Sequence, residues 1–324
     1  MKIVILDGDC ANPGDLGWES FERLGEVTVY PHTPREKLLE RAKDAEVLID
    51  NKVEIDRSAI DALPKLRYIG LLSTGYNVVD LEAADRRGIA VCNVPSYSTM
   101  SVAQHTFALL LSFANRIAAH DESVRRGDWS KCSNFCYWLE ASIELCGRTM
   151  GIVGYGEIGR AVAAIAHSLG MEVVAYRRSD GGETQPFVRR AGLDELLRES
   201  DVVSLHCDLN AGNARMVNGD FIAAMKDGAV LINTARGGLA DEEAIAEALR
   251  SGKLAAYLAD VAAHEPPSDG SPLFGAPHCT VTPHIAWASR EARKRLIAAA
   301  ADNLRAYLDG NPRNVVNAPF GANE

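Results

Sequence analysis

Three charged side chains in the second half of the chain have types that together can do chemistry: Arg236, Glu265 and His284. Each of them follows an apolar segment that is typical of a buried strand. In open α/β sheets, ligands bind beyond the carboxyl ends of the strands. We therefore expect the three side chains to lie at one ligand site.

The reduction of a 2-oxo acid needs a cation for the carboxylate, a proton donor for the carbonyl oxygen, and a hydride. Arg236 can clamp a carboxylate with two hydrogen bonds. His284 can give the proton, and Glu265 can hold its imidazole ring. Taken singly, each residue has another interpretation: Arg236 as a surface ion pair, Glu265 as a solvated loop acid, and His284 as an interior histidine. Together they predict a catalytic group.

A glycine-rich turn precedes these residues and predicts a dinucleotide site. The apolar run Met150–Val153 leads directly into Gly154, Gly156 and Gly159, a helical pattern follows, and Glu172–Tyr176 is typical of the next strand. Gly154 permits the tight turn, Gly156 leaves room for a pyrophosphate, and Gly159 lets the helix pack on the strand. The pyrophosphate then lies at the helix N-terminus. The alternative for this motif alone is another α/β enzyme, such as a methyltransferase with an adenosine cofactor.

The residues after the second strand of this unit bear on the choice between NAD and NADP. A turn that is specific for NAD places Asp or Glu there, to accept a hydrogen bond from the ribose 2′-hydroxyl. This chain has Arg177 and Arg178 instead, followed by the hydroxyl of Ser179. A guanidinium attracts a 2′-phosphate. We therefore expect NADP to be favoured, with NAD as the alternative if both Arg side chains point to solvent.

Strand and helix signals alternate over the first hundred residues, and a second alternating series runs from Thr149 to about Thr282. This pattern predicts an α/β fold with two doubly wound parallel-sheet domains, one of them a Rossmann dinucleotide-binding domain. Between the two series, Ser101 to Ala119 is predicted to form one long helix. Residues 128–146 are predicted to be irregular and rich in aromatic side chains.

Local signals predict where two helices of the first series begin and end. Thr33, Pro34 and Glu36 have the spacing of a capping box with proline at the first helical position. Gly88 follows two arginines at the place where a helix C-cap is expected.

The stretch from Ser101 to Cys146 is apolar and then aromatic. It has more apolar side chains than a solvent-exposed loop requires, so it predicts a homodimer interface on the dinucleotide domain.

Composition limits the partners. The formal charge of 34 − 44 = −10 argues against nucleic acid or an anionic membrane as the main partner. The sequence contains no apolar stretch that is long enough to cross a bilayer. The odd count of seven scattered cysteines favours reduced thiols in the cytoplasm. Cys132 and Cys136 have the spacing of half a metal site, but no second pair lies nearby, so no metal is predicted.

The sequence resembles the D-isomer-specific 2-hydroxyacid dehydrogenase family. The resemblance covers nearly the whole chain. It is carried by Ser73–Asn77, the turn at 154–159, Thr234–Gly237, Glu265–Pro267 and Thr282–Trp287.

The family resemblance implies roles for further residues. Arg236, Glu265 and His284 would be the catalytic group, and backbone amides around Ser73, Thr74 and Gly75 would bind the substrate carboxylate. At the cofactor the resemblance implies Thr106, Glu157, Ile158, Arg177, Cys207, Thr234 and Asp260. We also expect Gly154, Gly156, Gly159, Arg178, His206 and Ala235 at the cofactor. The C-terminal helix would return to the first domain. Residues 1–98 and 289–324 would then form the substrate (catalytic) domain and residues 99–288 the dinucleotide-binding domain.

Within the family, the chain looks most like the glycerate dehydrogenase (hydroxypyruvate reductase) branch. The segments that carry this likeness are Leu6–Gly8, Asn12–Leu16 and Phe135–Trp138. The chain departs from the usual pattern in having Gln104 for Glu, Asp208 for Pro, and Arg177 at the usual acidic position.

The branch implies a small, polar 2-oxo acid such as hydroxypyruvate or glyoxylate as the substrate partner. Trp138 and Trp287 are candidates for narrowing its pocket, with a plain packing role as the alternative for each. A different class of function is a dinucleotide-sensing binding protein or corepressor on the same fold.

Overall fold

The structure, a computed structural model, describes residues 1–178 and 184–317. Ser179, the hydroxyl donor expected beside Arg178, lies outside the described residues. The chain divides into two compact units. The first contains the residues up to Ser98 and those from Ala288 onward, and the second is Thr99–Trp287.

The first unit is built around a parallel sheet with helices in the connections between its strands. Its elements, in chain order, are β1 (Lys2–Ile5), α1 (Gly8–Ala11), α2 (Glu19–Glu22), β2 (Glu26–Val29), α3 (Leu38–Ala42), β3 (Val47–Asp50), α4 (Arg57–Ala62), β4 (Tyr68–Leu71), α5 (Leu81–Arg86) and β5 (Ala90–Cys92). The strands that the described residues form are ordered β2-β1-β3-β4-β5, and each pairs with its neighbours in parallel. The chain order therefore reverses between β1 and β3, which is where an open α/β sheet binds ligands.

The start of α3 differs from the prediction. Thr33 does not cap it; the chain passes through a 3-10 turn, Arg35–Lys37, before the α-helix begins at Leu38. The hydroxyl of Thr33 is buried, donates to the carbonyl of Leu6, and accepts from Arg41 at 2.8 Å. These contacts use the oxygen that a capping box needs. At the end of α5 the C-cap prediction is confirmed, because Gly88 follows the helix with φ +61°.

The second unit begins with helices and continues as an α/β series. Its elements are α6 (Thr99–Asn115), α7 (Ile117–Arg125), α8 (Asp128–Lys131), β6 (Thr149–Val153), α9 (Glu157–Ser168), β7 (Glu172–Tyr176), β8 (Val188–Arg190), α10 (Leu193–Glu199), β9 (Val202–Leu205), α11 (Gly219–Ala224), β10 (Ala229–Asn233), α12 (Glu242–Ser251), β11 (Leu254–Ala259) and β12 (Cys279–Val281).

The prediction of one helix from Ser101 to Ala119 is wrong. Arg116 adopts a left-handed conformation with φ +50° and separates α6 from α7. At the break, the amide of Ile143 donates to the carbonyl of Ala114 at 3.0 Å, and the guanidinium of Arg116 pairs with Glu140 at 2.7 Å. The returning chain thus satisfies groups that a continuous helix would have bonded internally.

The sheet of the second unit has the strand order β12-β11-β10-β9-β6-β7-β8 within the described residues, with every pairing parallel. Alternating side chains of these strands point to opposite faces. α6 and α9 cover one face, and α10, α11 and α12 cover the other. This arrangement confirms the Rossmann-type prediction, with the reversal of strand order between β6 and β9.

The last helix, α13 (Arg290–Leu308), belongs to the first unit and packs against β4, with the rings of Tyr68 and Tyr307 centred 5.0 Å apart. The chain then returns to β5, where Val315 bridges to Cys92. The prediction of two doubly wound parallel-sheet domains is confirmed. Of the helices described, none has the length and apolarity needed to cross a membrane.

Candidate active site

The glycine-rich turn lies between β6 and α9 and has the geometry of a dinucleotide site. Gly154 has φ +101°, and a Cβ there would lie 2.5 Å from the carbonyl carbon of His206. A Cβ at Gly159 would lie 2.3 Å from the carbonyl oxygen of Gly154. A Cβ at Gly156 would have no described atom of another segment within 4 Å, so the N-terminus of α9 is open to a ligand. These residues fit a bound pyrophosphate.

Three residues that are predicted at the cofactor, Thr106, Thr234 and His206, are held by side-chain hydrogen bonds. The hydroxyls of Thr106 and Thr234 are both buried and lie 3.1 Å apart. His206 Nε2 is 2.8 Å from the hydroxyl of Ser204, and burial lowers the pKa of His206 to about 3. His206 is therefore neutral at physiological pH.

The two arginines predicted to bear on the cofactor directly follow β7. Both Arg177 and Arg178 are exposed. Burial raises the pKa of the Cys207 thiol, and the positive charge of Arg178 acts on it in the opposite direction. Arg178 is thus close enough to the loop after β9 for its charge to act on Cys207.

Glu265 and His284 are in direct contact. Oε2 of Glu265 is 2.6 Å from Nδ1 of His284, while Oε1 accepts from the amide of Ala262 at 3.1 Å. The second bond orients the carboxylate, and the first orients the imidazole. Because Nδ1 faces Glu265, Nε2 lies on the opposite side of the ring, where it can give a proton to another group.

The loop that carries His284 is fixed by Asp260, which follows β11 and is buried. Oδ1 of Asp260 accepts from the hydroxyl of Thr282 at 2.5 Å and from the amide of Ile285 at 2.9 Å; Oδ2 accepts from the amide of Ala286 at 2.7 Å. His284 itself has φ +55°, a conformation that needs such support in a residue other than glycine. The hydroxyl of Thr282 also lies 3.0 Å from Nε2 of His105.

Arg236 follows β10, the strand next to β11, and its side chain is exposed. The buried amide of Asn233 sets the turn, since its Nδ2 donates to the carbonyl of Arg236 at 3.0 Å and its Oδ1 accepts from Ala235 at 3.1 Å. A Cβ at Gly237 would lie 1.9 Å from the carbonyl of Ala262. The Arg236 turn is therefore packed against the chain that leads to Glu265.

The model of one protein family matches residues 107–286, more than half of the chain, and its description is D-isomer specific 2-hydroxyacid dehydrogenase, NAD binding domain. The chain belongs to this family. Its function class is therefore that of an oxidoreductase that transfers a hydride between a nicotinamide cofactor and a 2-hydroxy acid or 2-oxo acid.

Relatives match over almost the full length of the chain. A hydroxypyruvate reductase of Blautia hydrogenotrophica is 45% identical over 322 residues, which are 98% of this chain and 100% of that protein. A glycerate dehydrogenase of Methylorubrum extorquens is 40% identical, with 98% and 99% covered. Among solved structures, the TT0316 protein from Thermus thermophilus superposes with a TM-score of 0.87 at 38% identity, with 98% and 100% covered. These findings confirm the family, and nothing observed favours the dinucleotide-sensing alternative.

For this family member, the structure brings together some of the predicted site residues and separates others by unit. Glu265 and His284 contact each other. The backbone turn that carries Arg236 packs at Gly237 against Ala262, in the segment that leads to Glu265. Ser73, Thr74 and Gly75 lie in the first unit, where the hydroxyl of Thr74 donates to the carbonyl of Val94 at 3.0 Å. Trp138 is 72% exposed, and the indole of Trp287 donates to the carbonyl of His284 at 2.9 Å.

Two residues at the site were not found from the sequence. His105 contacts Thr282, and Asn233 shapes the turn of Arg236. Each precedes a predicted residue directly, His105 before Thr106 and Asn233 before Thr234. In the sequence, the signal for His105 and Asn233 is a polar side chain directly beside a predicted site residue.

Proposed function

We propose that this dehydrogenase reduces a small, polar 2-oxo acid, hydroxypyruvate or glyoxylate, to the D-2-hydroxy acid, with NADP(H) favoured over NAD(H). The observation that carries the proposal is the 2.6 Å contact of Glu265 with Nδ1 of His284. The names of the two relatives described above support it, since glycerate and hydroxypyruvate are the two sides of one reaction.

In this proposal His284 is the proton donor. Glu265 holds the ring through Nδ1 and stabilises the imidazolium, so that Nε2 gives its proton to the carbonyl oxygen of the substrate. Arg236 binds the substrate carboxylate with its planar fork of donors. The nicotinamide, when bound, supplies the hydride. The residues that would hold the cofactor are the glycine turn, the N-terminus of α9, and the predicted contacts from Thr106 to Asp260.

In the first unit, we propose that the amides of Thr74 and Gly75 bind the substrate carboxylate. The loop is held in place by its own contacts: the hydroxyl of Ser73 donates to the carbonyl of Gly75 at 2.5 Å, and Asn93 Nδ2 donates to the carbonyl of Thr74 at 2.7 Å. Successive backbone amides of a turn can bind an anion, and these contacts would hold the amides of Thr74 and Gly75 in place for that role.

The substrate proposal is tested by steady-state kinetics with hydroxypyruvate, glyoxylate and phenylpyruvate at a saturating cofactor concentration. We expect the highest kcat/KM for hydroxypyruvate or glyoxylate. A higher kcat/KM for phenylpyruvate, whose side chain is bulky and aromatic, would contradict the proposed substrate class.

The cofactor preference is expected to depend on Arg177. Replacement by aspartate (R177D) places a carboxylate where an NAD-specific turn has one, so it repels a 2′-phosphate and accepts from a ribose hydroxyl. We expect the ratio of kcat/KM for NADPH to that for NADH to exceed one in the wild type and to fall at least about tenfold in R177D. The matched control is R250D, which makes the same change of charge on the exposed end of α12. A strong preference for NADH that R177D leaves unchanged would show that Arg177 does not contact the 2′ position of the cofactor ribose.

We also propose a homodimer that is built on the second unit. The region from α6 to residue 146 exposes large apolar side chains, with Phe135 at 92%, Trp138 at 72% and Ile117 at 66% exposed. Apolar surface of this kind is typical of an interface. Light scattering at micromolar concentration should give twice the chain mass of 35.0 kDa, about 70 kDa. A mass of one chain would exclude the dimer.

A further inference from the structure

Two acids of the first unit, Asp7 and Asp50, lie at the carboxyl ends of β1 and β3, where the strand order of that sheet reverses. Both side chains are almost completely buried, with exposed fractions of 1% and 0%. Carboxylates are rarely buried unless they are paired or hydrogen-bonded, because the loss of water strongly disfavours the charged form. The roles proposed above do not use either of them.

Asp7 accepts two backbone hydrogen bonds from the turn that follows β3. Its Oδ1 accepts from the amide of Asn51 at 2.9 Å, and its Oδ2 accepts from the amide of Lys52 at 2.7 Å. Burial raises the pKa of Asp7, and its hydrogen bonds with the amides of Lys52 and Asn51 and with the thiol of Cys10 act in the opposite direction. Burial also raises the pKa of that thiol to about 11, so the thiol keeps its proton. A carboxyl group that accepts from two or three donors is stabilised in its ionised form.

Asp50 has the opposite surroundings. Its Oδ1 accepts from the amide of Val53 at 3.2 Å, but its Oδ2 is buried and receives no hydrogen bond from any donor in the described residues. Burial, and then the charge of Asp7, raise the pKa of Asp50 well above its usual range. A proton on Asp50 that points to Asp7 satisfies both carboxyl groups, and the pair then holds one proton and one negative charge.

The turn that Asp7 holds is bonded to the start of the loop Ser73–Gly75. Nδ2 of Asn51 donates to the carbonyl of Leu72 at 2.5 Å, and the amide of Leu72 donates to the carbonyl of Asp50 at 2.6 Å. Leu72 directly precedes Ser73. On its other side the loop is held by Asn93 and Val94. The side chain of Asn51 therefore links the turn that Asp7 holds to the residue that begins the loop.

We propose that Asp7 is a positioning residue for the substrate: its ionised carboxylate, beside a protonated Asp50, fixes Asn51, and Asn51 fixes the entry to the carboxylate-binding loop Ser73–Gly75. This inference rests on the proposed function of that loop. It assigns the charge to Asp7 and the proton to Asp50, so the two acids respond differently to the same conservative substitution.

The test compares D7N with D50N. An asparagine at position 7 has one oxygen and can no longer accept from both amides, so we expect KM for hydroxypyruvate to rise about tenfold, with kcat and KM for NADPH little changed. An asparagine at position 50 keeps an acceptor for Val53 and a donor toward Asp7, so this conservative variant should keep KM within about twofold of the wild type. D44N, on the exposed surface of the same unit, is the control for the loss of a carboxylate.

If the two carboxyl groups only stabilised the fold, D7N and D50N would change KM for hydroxypyruvate by similar amounts. The proposal is overturned if D7N leaves KM for hydroxypyruvate unchanged, or if D50N raises it as much as D7N does. If D7N does not fold, N51A carries the test, since it removes only the contact with Leu72 and should raise the same KM; an unchanged KM in N51A overturns the proposal. Failure of the proposed function is distinct, because the wild type would then not reduce hydroxypyruvate at all.

Discussion

Replacement of His284 by alanine is expected to lower kcat/KM for hydroxypyruvate on the order of 10²-fold or more, which is the range that a positioned general acid contributes. The ring is held by Glu265 at 2.6 Å, and its loop is held by the three hydrogen bonds to Asp260. None of the bonds to Asp260 involves the imidazole. We therefore expect the loop to stay in place and the cofactor to bind with nearly unchanged affinity.

Two variants separate loss of the proton donor from damage to the fold. H32A removes an exposed imidazole from the first unit and should leave the kinetics unchanged. E265Q keeps an acceptor for Ala262 but loses the charge that faces His284, so it should reduce kcat less than H284A does. Turnover of H284A close to that of the wild type, at any pH between 5 and 9, would remove His284 from the role of proton donor.

Replacement of Arg236 by lysine is expected to lower kcat/KM on the order of 10²-fold, although the charge is kept. The guanidinium offers two parallel donors to a carboxylate, whereas an ammonium offers a point charge and leaves the substrate free to rotate. The backbone of this turn is set by Asn233 and by the close contact of Gly237 with Ala262, and neither depends on the side chain of Arg236. The loss should therefore be confined to substrate binding and orientation.

The matched control for this substitution is R215K. Arg215 pairs with Asp241 at 2.6 Å on an exposed surface of the same unit, where a change from Arg to Lys has little effect on stability. R215K should retain kcat/KM, and R236K should retain the KM for NADPH. An unchanged kcat/KM for hydroxypyruvate in R236K would exclude Arg236 from the site.

The parts of the fold that could be predicted from sequence are those in which local signals and burial agree. β7 begins at Glu172 and ends at Tyr176, as the apolar run indicates. The glycine spacing of the 154–159 turn is a steric requirement, because Gly154 and Gly159 leave no room for a Cβ. Such positions accept one residue type, so the sequence carries them directly.

Features that depend on contacts between distant segments could not be predicted. The break at Arg116 is stabilised by Glu140 and Ile143, and the apolar run of α6 contains no local signal that predicts it. Thr33 has the spacing of a capping residue, yet its hydroxyl bonds to Leu6 across the unit. A local pattern gives the bonds that a side chain is able to form, and tertiary packing decides which of them it forms.

The same limit applies to the candidate site. The proximity of Glu265 and His284 follows from their places after neighbouring strands, so the sequence predicts it. The place of Asp260 at the cofactor stays a prediction. Its bonds to Thr282, Ile285 and Ala286, which hold the loop of His284, could not be predicted from the sequence. The bonds from Asp7 to Asn51 and Lys52 span 44 and 45 residues and depend on the register of β1 against β3. No spacing in the sequence encodes them.

We propose that this chain reduces hydroxypyruvate to D-glycerate through proton donation by His284. The most direct measurement incubates the purified protein with hydroxypyruvate and NADPH, and separately with NADH, and resolves the glycerate formed by chiral chromatography. We expect D-glycerate as the product in the wild type, formed in amounts equal to the cofactor oxidised, and almost none with H284A. Formation of L-glycerate, or no glycerate with either cofactor, would contradict it.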